Sequence, residues 1–313
     1  MLKYIIRRLL MTIPTFLIVA VVVFTLIHMV PGDPAAVMVG DLDDPTVLED
    51  VREQLGLNEP LPTQFGIWFS NVLQGELGTS IMTGEDVLDA MLKRFTVTAQ
   101  IVAFSITLAI AIAIPVGMLA AWKQNSKIDL FTMFMVILGV SVPSFWVGIL
   151  LILLFGVELN WLPTIGYVSI GENLAQGIRY LILPVAALLL GEMASLARMM
   201  RSSTIEVLRL EYITHARAKG LSEGAVLWRH ALPNSFAPVL TVLGLMLGSL
   251  LGGAVVIESV FTLPGLGRFL VDGIYARDYP VVQGTLLLVA GIYVVTNLVV
   301  DLLYPIFDPR VRL

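Results

Sequence analysis

Residues 97–122 read VTAQIVAFSITLAIAIAIPVGMLAAW, with no charged side chain among them. Wound as a helix at 1.5 Å per residue, such a run is about 39 Å long and exceeds the roughly 30 Å hydrocarbon core of a bilayer. Lipid offers no partner for a peptide group, so a chain crossing it as a single segment must pair its own amides, which predicts an all-α polytopic membrane protein. Working outward, further apolar stretches of similar length lie at 9–30, 130–155, 180–199, 236–261 and 282–303. Six spans would leave both termini on one side. The first follows MLKYIIRRLL, which has the basic start of a signal peptide. Its apolar run is longer than a signal peptide's and ends in Pro-Gly-Asp-Pro, so it reads as an uncleaved span.

The composition agrees. With 57% hydrophobic and 14% charged residues, and a mean hydropathy of +0.89, 313 residues cannot hide their apolar surface in one water-soluble core. The charges are sorted by loop. Residues 31–96 hold twelve acids against three bases, whereas 198–230 hold six bases against three acids. Lys3, Arg7 and Arg8 precede the first span, and Lys123 and Lys127 separate the second from the third. The positive-inside rule makes these basic ends cytoplasmic and 31–96 external. Within that loop, 45–55 and 62–72 are compatible with helices, so it reads as a small folded cap. The organisation is then a cytoplasmic N-terminus and first span at 1–30, the cap at 31–96, a core of five spans at 97–304 and a cytoplasmic tail at 305–313. Cysteine is absent, which removes disulfides and thiolate metal sites.

Between the fourth and fifth spans, within 200–234, runs SSTIEVLRLEYITHARAKGLSEGAVLWRHALPN, too polar to span and too regular for a slack loop. Ile205, Leu208, Tyr212 and Ala216 recur at three- or four-residue intervals and would share one helix face, with Glu206 and Arg209 pairing across a turn. Ala216, Ala218 and Gly220 then remove bulk, and Gly220 suits a left-handed helix end. A second short helix is expected to finish before Pro233. The pattern alone reads equally well as an amphipathic helix on the membrane surface.

The segment resembles the coupling loop of ABC importer permeases, in which Ala-x-x-x-Gly precedes Leu-Pro by about a dozen residues. Ala216, Gly220, Leu232 and Pro233 match that pattern. EYITHARAKGLS at 211–222 and RHAL at 229–232 are similar to the dipeptide/oligopeptide/nickel permease family. So are HMVPGDP at 28–34, QLGL at 54–57, PGLGR at 264–268, RDYPVVQ at 277–283 and DPRVR at 308–312. Thr214, Leu263 and Pro233 depart from common family residues. The resemblance is closest to the dipeptide and glutathione permease with a long external loop. It implies six transmembrane helices with a type I importer permease core in a bacterial inner membrane, both termini cytoplasmic.

It further implies a homologous second permease, two cytosolic ABC ATPases and an extracytoplasmic substrate-binding protein, with membrane lipid around the spans and no nucleic acid. This chain would bind no cofactor, ATP and Mg being held on the ATPases. The residues expected to carry coupling are Glu211, Tyr212, Ala216, Arg217, Ala218, Gly220, Leu221, Leu232 and Pro233. Arg201, Arg209, Arg217 and Lys219 could face an acidic ATPase rim or simply be solvated. The cargo would be di- or oligopeptides or a peptide-like solute such as glutathione, with nickel or a metal chelate as the alternative and a self-sufficient secondary transporter as the further rival.

Inside the spans, Gly244, Gly248 and Gly252 form a ladder that admits close helix packing, either along a pathway at the subunit interface or within the chain. Glu192 is the ionisable candidate for a pathway, whereas His28 and Glu258 read as wetted external groups and Asp301 as a capping or paired one. Pro115, Pro143 and Pro184 read as kinks. No phosphate-cradling Gly-x-x-x-x-Gly-Lys-Ser/Thr, His-Glu-x-x-His or Gly-x-Ser-x-Gly string is present, so no catalytic or metal site is assigned.

Overall fold

The computed structural model describes residues 2–29 and 58–307, with isolated positions 46, 49 and 52. The motifs at 30–34, 54–57 and 308–312, and most of the cap helix expected at 45–55, lie outside the described residues. In chain order the helices are α1 (Leu2–His28), α2 (Leu61–Gln74), α3 (Val87–Trp122), α4 (Lys127–Ser141) and α5 (Ser144–Leu151), the last running into a π-helical turn at Ile152–Glu158. Then come α6 (Leu174–Leu208), α7 (Glu211–Ala218), α8 (Glu223–Ala225), α9 (Leu232–Val260), α10 (Leu266–Ala276) and α11 (Tyr279–Phe307). Among the described residues there is no strand, only an isolated bridge between Thr79 and Asp86.

Helix starts are set by caps rather than by where the apolar run begins. Asp86 accepts the Asp89 amide at 3.0 Å and starts α3 ten residues ahead of the apolar stretch. Asn173 does the same for α6 through Gln176 N at 3.0 Å. With 36 and 35 residues, α3 and α6 overhang any bilayer, α3 toward the cap and α6 toward α7.

The third expected span is present but sharply bent. Lys127–Ser141 and Ser144–Glu158 meet at 97°, so among the described residues there are five continuous apolar helices and one bent pair, six if the pair is one span. Pro143 causes the break: it lacks an N–H and forces Val142 into an extended conformation (ψ 123°). Pro115 and Pro184 stay inside unbroken helices. The bent pair still carries the chain from one end to the other, since Asp129 near its start bonds Arg201 near the end of α6. Past the π-turn that follows α5, Trp161 O accepts from Arg179 near the start of α6, at 2.9 Å.

The core is α6, half of whose apolar window is buried, against 17% for α1. α3 lies so close to α6 that a Cβ on Gly117 would stand 2.6 Å from Ala197 O. α1 packs on α11, where Arg8 meets Asp301 at 2.8 Å, the pairing expected for Asp301. At the opposite end, Phe24 of α1 packs against Phe65 and Trp68 of α2, and the exposed His28 ring meets Gln64 at 3.2 Å.

Glu258 also departs from expectation, being fully buried rather than wetted. Thr98 donates to its Oε1 at 2.5 Å, and Arg268 N donates to Oε2 at 3.0 Å. Thr98 Oγ1 in turn accepts from Leu266 N at 2.9 Å. The PGLGR motif thus folds the start of α10 over the carboxylate, which takes the orphan amides of that helix. Glu258→Ala strands the Thr98 hydroxyl and an α10 amide at a cost of about 1–3 kcal/mol. A fall in the melting temperature of the detergent-purified chain checks this, and an unchanged value would count against the network.

Candidate functional site

The segment joining α6 to α9 is built as two short helical pieces around one left-handed turn. The single helix expected to carry Ile205, Leu208, Tyr212 and Ala216 on one face is corrected. α6 ends at Leu208, Leu210 is extended (ψ 145°), and α7 begins afresh at Glu211. No Gly or Pro marks that break, so the periodicity ran through it. The inward face of α7 is Ile213 and Ala216, both buried, while Glu211, Arg217 and Ala218 point outward. Glu206 and Arg209 meet through their backbones at 3.3 Å, with no ion pair between their side chains. Tyr212 is 37% exposed and its hydroxyl donates to His230 O at 3.3 Å. Partial burial pushes this phenol's pKa up, which keeps the donating proton in place.

Gly220 adopts φ +81°, and no atom lies within 4 Å of where its Cβ would stand. A larger residue is therefore opposed by the backbone rather than by crowding. Ser222 caps the next piece by accepting from Ala225 N at 3.4 Å. Across the turn, Arg217 forks onto Glu223, Nε to Oε1 at 2.9 Å and Nη2 to Oε2 at 3.2 Å. The two pieces are thereby bridged across the turn by a half-exposed ion pair.

The second helix does not stop before Pro233. α8 continues through a π-helical stretch at Val226–Ala231 into α9, one helix from Glu223–Val260. Pro233, with no N–H to give, sits in the first turn of α9, where the π register precedes it. Leu221 and Leu232 are half-buried against the core, and Val226, Leu227 and Ala231 are buried.

Outward, the segment shows Leu210 (49% exposed) and Trp228 (54% exposed) among Glu211, Thr214, Lys219 and Arg229. Trp228 was missed in the sequence, where a large aromatic in so polar a stretch was the available signal. Of the four expected basic contacts, Arg209 and Lys219 are exposed and make no ion pair among the described residues. Arg217 pairs with Glu223, and Arg201 with Asp129. Asp129 was also missed.

The glycine ladder divides. A Cβ on Gly244 would meet Val300 at 3.2 Å, and one on Gly248 would meet Tyr293 at 2.6 Å, so both pack α9 on α11 of the same chain. Gly252 faces open space. With Val19, Val22, Leu245, Ser249 and Tyr293 it lines a cavity of about 620 Å³ between α1, α9 and α11. Glu192 of α6 lies beside Ser249 of α9, a serine of the cavity lining that the sequence did not single out. Among the described residues no cluster of three His, Asp or Glu side chains could hold a metal ion.

Residues 113–313 match the family described as binding-protein-dependent transport system inner membrane component, and residues 1–102 match the N-terminal component of that system's membrane proteins. The chain is 41% identical to the dipeptide transport system permease protein of Alkalihalophilus pseudofirmus over the whole of both chains. It is 44% identical to a putative peptide transport system permease protein of Brucella abortus over 98% of each. To the glutathione transport system permease protein of Escherichia coli it is 44% identical over 100% of this chain and 99% of the other.

Gly220→Val puts a β-branched residue at positive φ, a strain of about 1–3 kcal/mol. Amide hydrogen exchange should accelerate across 211–225 and leave the core of α6 unchanged. Wild-type protection throughout the segment would mean the turn is not strained.

Proposed function

The chain belongs to the family of binding-protein-dependent transport system inner membrane components, and on that premise we propose that it is the permease subunit of an ATP-driven ABC importer whose cargo is di- or oligopeptides or a peptide-like solute such as glutathione. The observation that carries the reading is the segment between α6 and α9. Two helical pieces are locked around Gly220 by the Arg217–Glu223 fork, and they present Leu210 and Trp228 to the outside. An exposed aromatic beside basic groups is a surface made to be covered by a partner. Full-length similarity to permeases named for dipeptide, peptide and glutathione transport supports the cargo class.

In this reading the segment docks on a cytosolic ATPase and moves with it as one body. α8 is continuous with α9, and Ser203 Oγ donates to Ser235 O at 2.8 Å, so α6 and α9 follow together. ATP-driven closure of the ATPases then shifts the same equilibrium that solute binding biases, which is what coupling requires. Two ATPases carry ATP and Mg, while this chain holds no cofactor and does no hydrolysis. A homologous second permease completes the pathway, and in this reading Glu192, Ser249 and Gly252 are this chain's candidates to line it. An extracytoplasmic binding protein delivers solute. The basic ends, α7 included, are cytoplasmic.

Affinity purification of the tagged chain in mild detergent, followed by subunit identification and an ATPase assay, tests this. A second permease and ATPases should copurify, with hydrolysis stimulated by binding protein plus peptide and uncoupled from uptake by Gly220→Val. A lone chain moving peptide in liposomes without ATP would overturn the reading.

A further inference from the structure

Asp129 is the least expected group at the α7 end. It is 2% exposed and lies in the first turn of α4. Arg201 donates to it twice, Nε to Oδ1 at 2.5 Å and Nη2 to Oδ2 at 2.7 Å, and Asn125 N adds a bond to Oδ2 at 2.9 Å. The fork therefore joins α6 to the turn between α3 and α4 as well as to α4 itself. Arg201 stands ten residues before α7. One turn of α6 around it also holds α3, since a Cβ on Gly117 would lie 2.8 Å from Met200 Cβ and 3.1 Å from Arg201 N. Ser203 then ties α6 to α9 beyond the segment. A single layer thus connects α3, α4, α6 and α9 next to the docking surface.

α4 joins the bundle along one face. Only Asp129, Thr132 and Val136 are buried on that helix, while Leu130, Phe131, Phe134 and Ile137 are 55–66% exposed. Its close approach to α6 at Gly139, beside Leu190 and Ala194, is van der Waals packing, which fixes the separation of the helices but supplies no directional bond. A forked guanidinium–carboxylate bond fixes both distance and orientation. A buried ion pair is a poor device for stability alone, because apolar replacements often do as well.

Resting on the importer reading above, we propose that the Asp129–Arg201 pair is a transmission clasp: it makes the bent α4–α5 pair follow α6 when the docked segment moves. Both are positioning residues, touching neither solute nor ATPase. Through the 97° bend, α5 brings Gly148 against Phe261 and Ile257 near the opposite end of α9. Movement taken up at the clasp is delivered there.

The test uses the complete transporter, with both permeases, ATPases and binding protein, in liposomes. Uptake per ATP hydrolysed is read alongside basal hydrolysis, the melting temperature and the yield of assembled complex. For Asp129→Asn, assembly and basal hydrolysis should persist while uptake per ATP falls about tenfold. Arg201→Lys, which keeps the charge but loses the fork, should fall less, and the exchange Asp129→Arg with Arg201→Asp should regain most of the loss. Wild-type uptake per ATP in both single variants would overturn the clasp, as would a loss that merely tracks the yield of assembled complex. Absence of ATP-driven uptake in the wild type would instead bring down the importer reading, and the clasp with it.

Discussion

A peptide N–H or C=O in hydrocarbon has no water to turn to, so every crossing in this chain must be helical and every interruption must be stitched where it occurs. Two prolines show how. At Pro143 the missing N–H coincides with a helix start. Its carbonyl accepts from Trp146 N and Val147 N at 3.1 Å each, and Val142 N still reaches Leu138 O at 3.2 Å, so these three amides stay paired while the chain turns through 97°. At Pro233 the helix does not break. It passes through π register over Val226–Ala231, and side chains collect the loosened carbonyls, Asn234 Nδ2 on His230 O at 2.8 Å and Ser235 Oγ on Ala231 O at 2.9 Å.

The second solution gives the segment between α6 and α9 its mechanical character. Had the chain broken at Pro233, the outward-facing pieces would join α9 through a corner like that at Pro143 rather than through continuous helix. Because α8 runs into α9 without a break, a push on the Gly220 turn arrives as rotation or tilt of a 38-residue helix. On its other side the segment meets α6 at the break at Arg209–Leu210, and Ser203 on Ser235 bridges the base of that break.

The apolar runs that decided the fold are long-range-free signals, and the spans they predict are found. The Gly220 turn and the cap helix at 62–72 were equally local, and the structure has both, the latter as Leu61–Gln74. Other features depend on partners far away in sequence. Asp129 meets Arg201 across 72 positions and Thr98 meets Glu258 across 160, so no window over the sequence contains either pair, and Glu258 read as wetted because its cover lies in α3 and α10. The break at Arg209–Leu210 carried no Gly or Pro to announce it. Pro143 was legible as a kink, but the size of the bend follows from Val142 being driven extended, which turns a kink into a corner. Within the candidate segment, its position and its turn were readable. Its inward face was not, because the break shifted the register from Tyr212 to Ile213.

The two ends of the bundle satisfy their buried carboxylates in different ways, and the difference suits their positions. At the cap end, Glu258 and Asp278 are held by hydroxyls and backbone amides: Thr98 and Arg268 N on the first, Ser80 at 2.6 Å and Met82 N at 3.3 Å on the second. Backbone donors cannot move without moving a helix start, so these bonds weld α3, α10, the head of α11 and the turn at 78–86 into one block. At the α7 end the buried carboxylate, Asp129, meets an arginine instead, Arg201, while the part-exposed Glu223 and Asp301 pair with Arg217 and Arg8. A guanidinium fork sets both distance and orientation between the side chains it joins. Among the described residues, the buried carboxylates are therefore held by hydroxyls and backbone amides at the cap end and by a guanidinium fork at the α7 end.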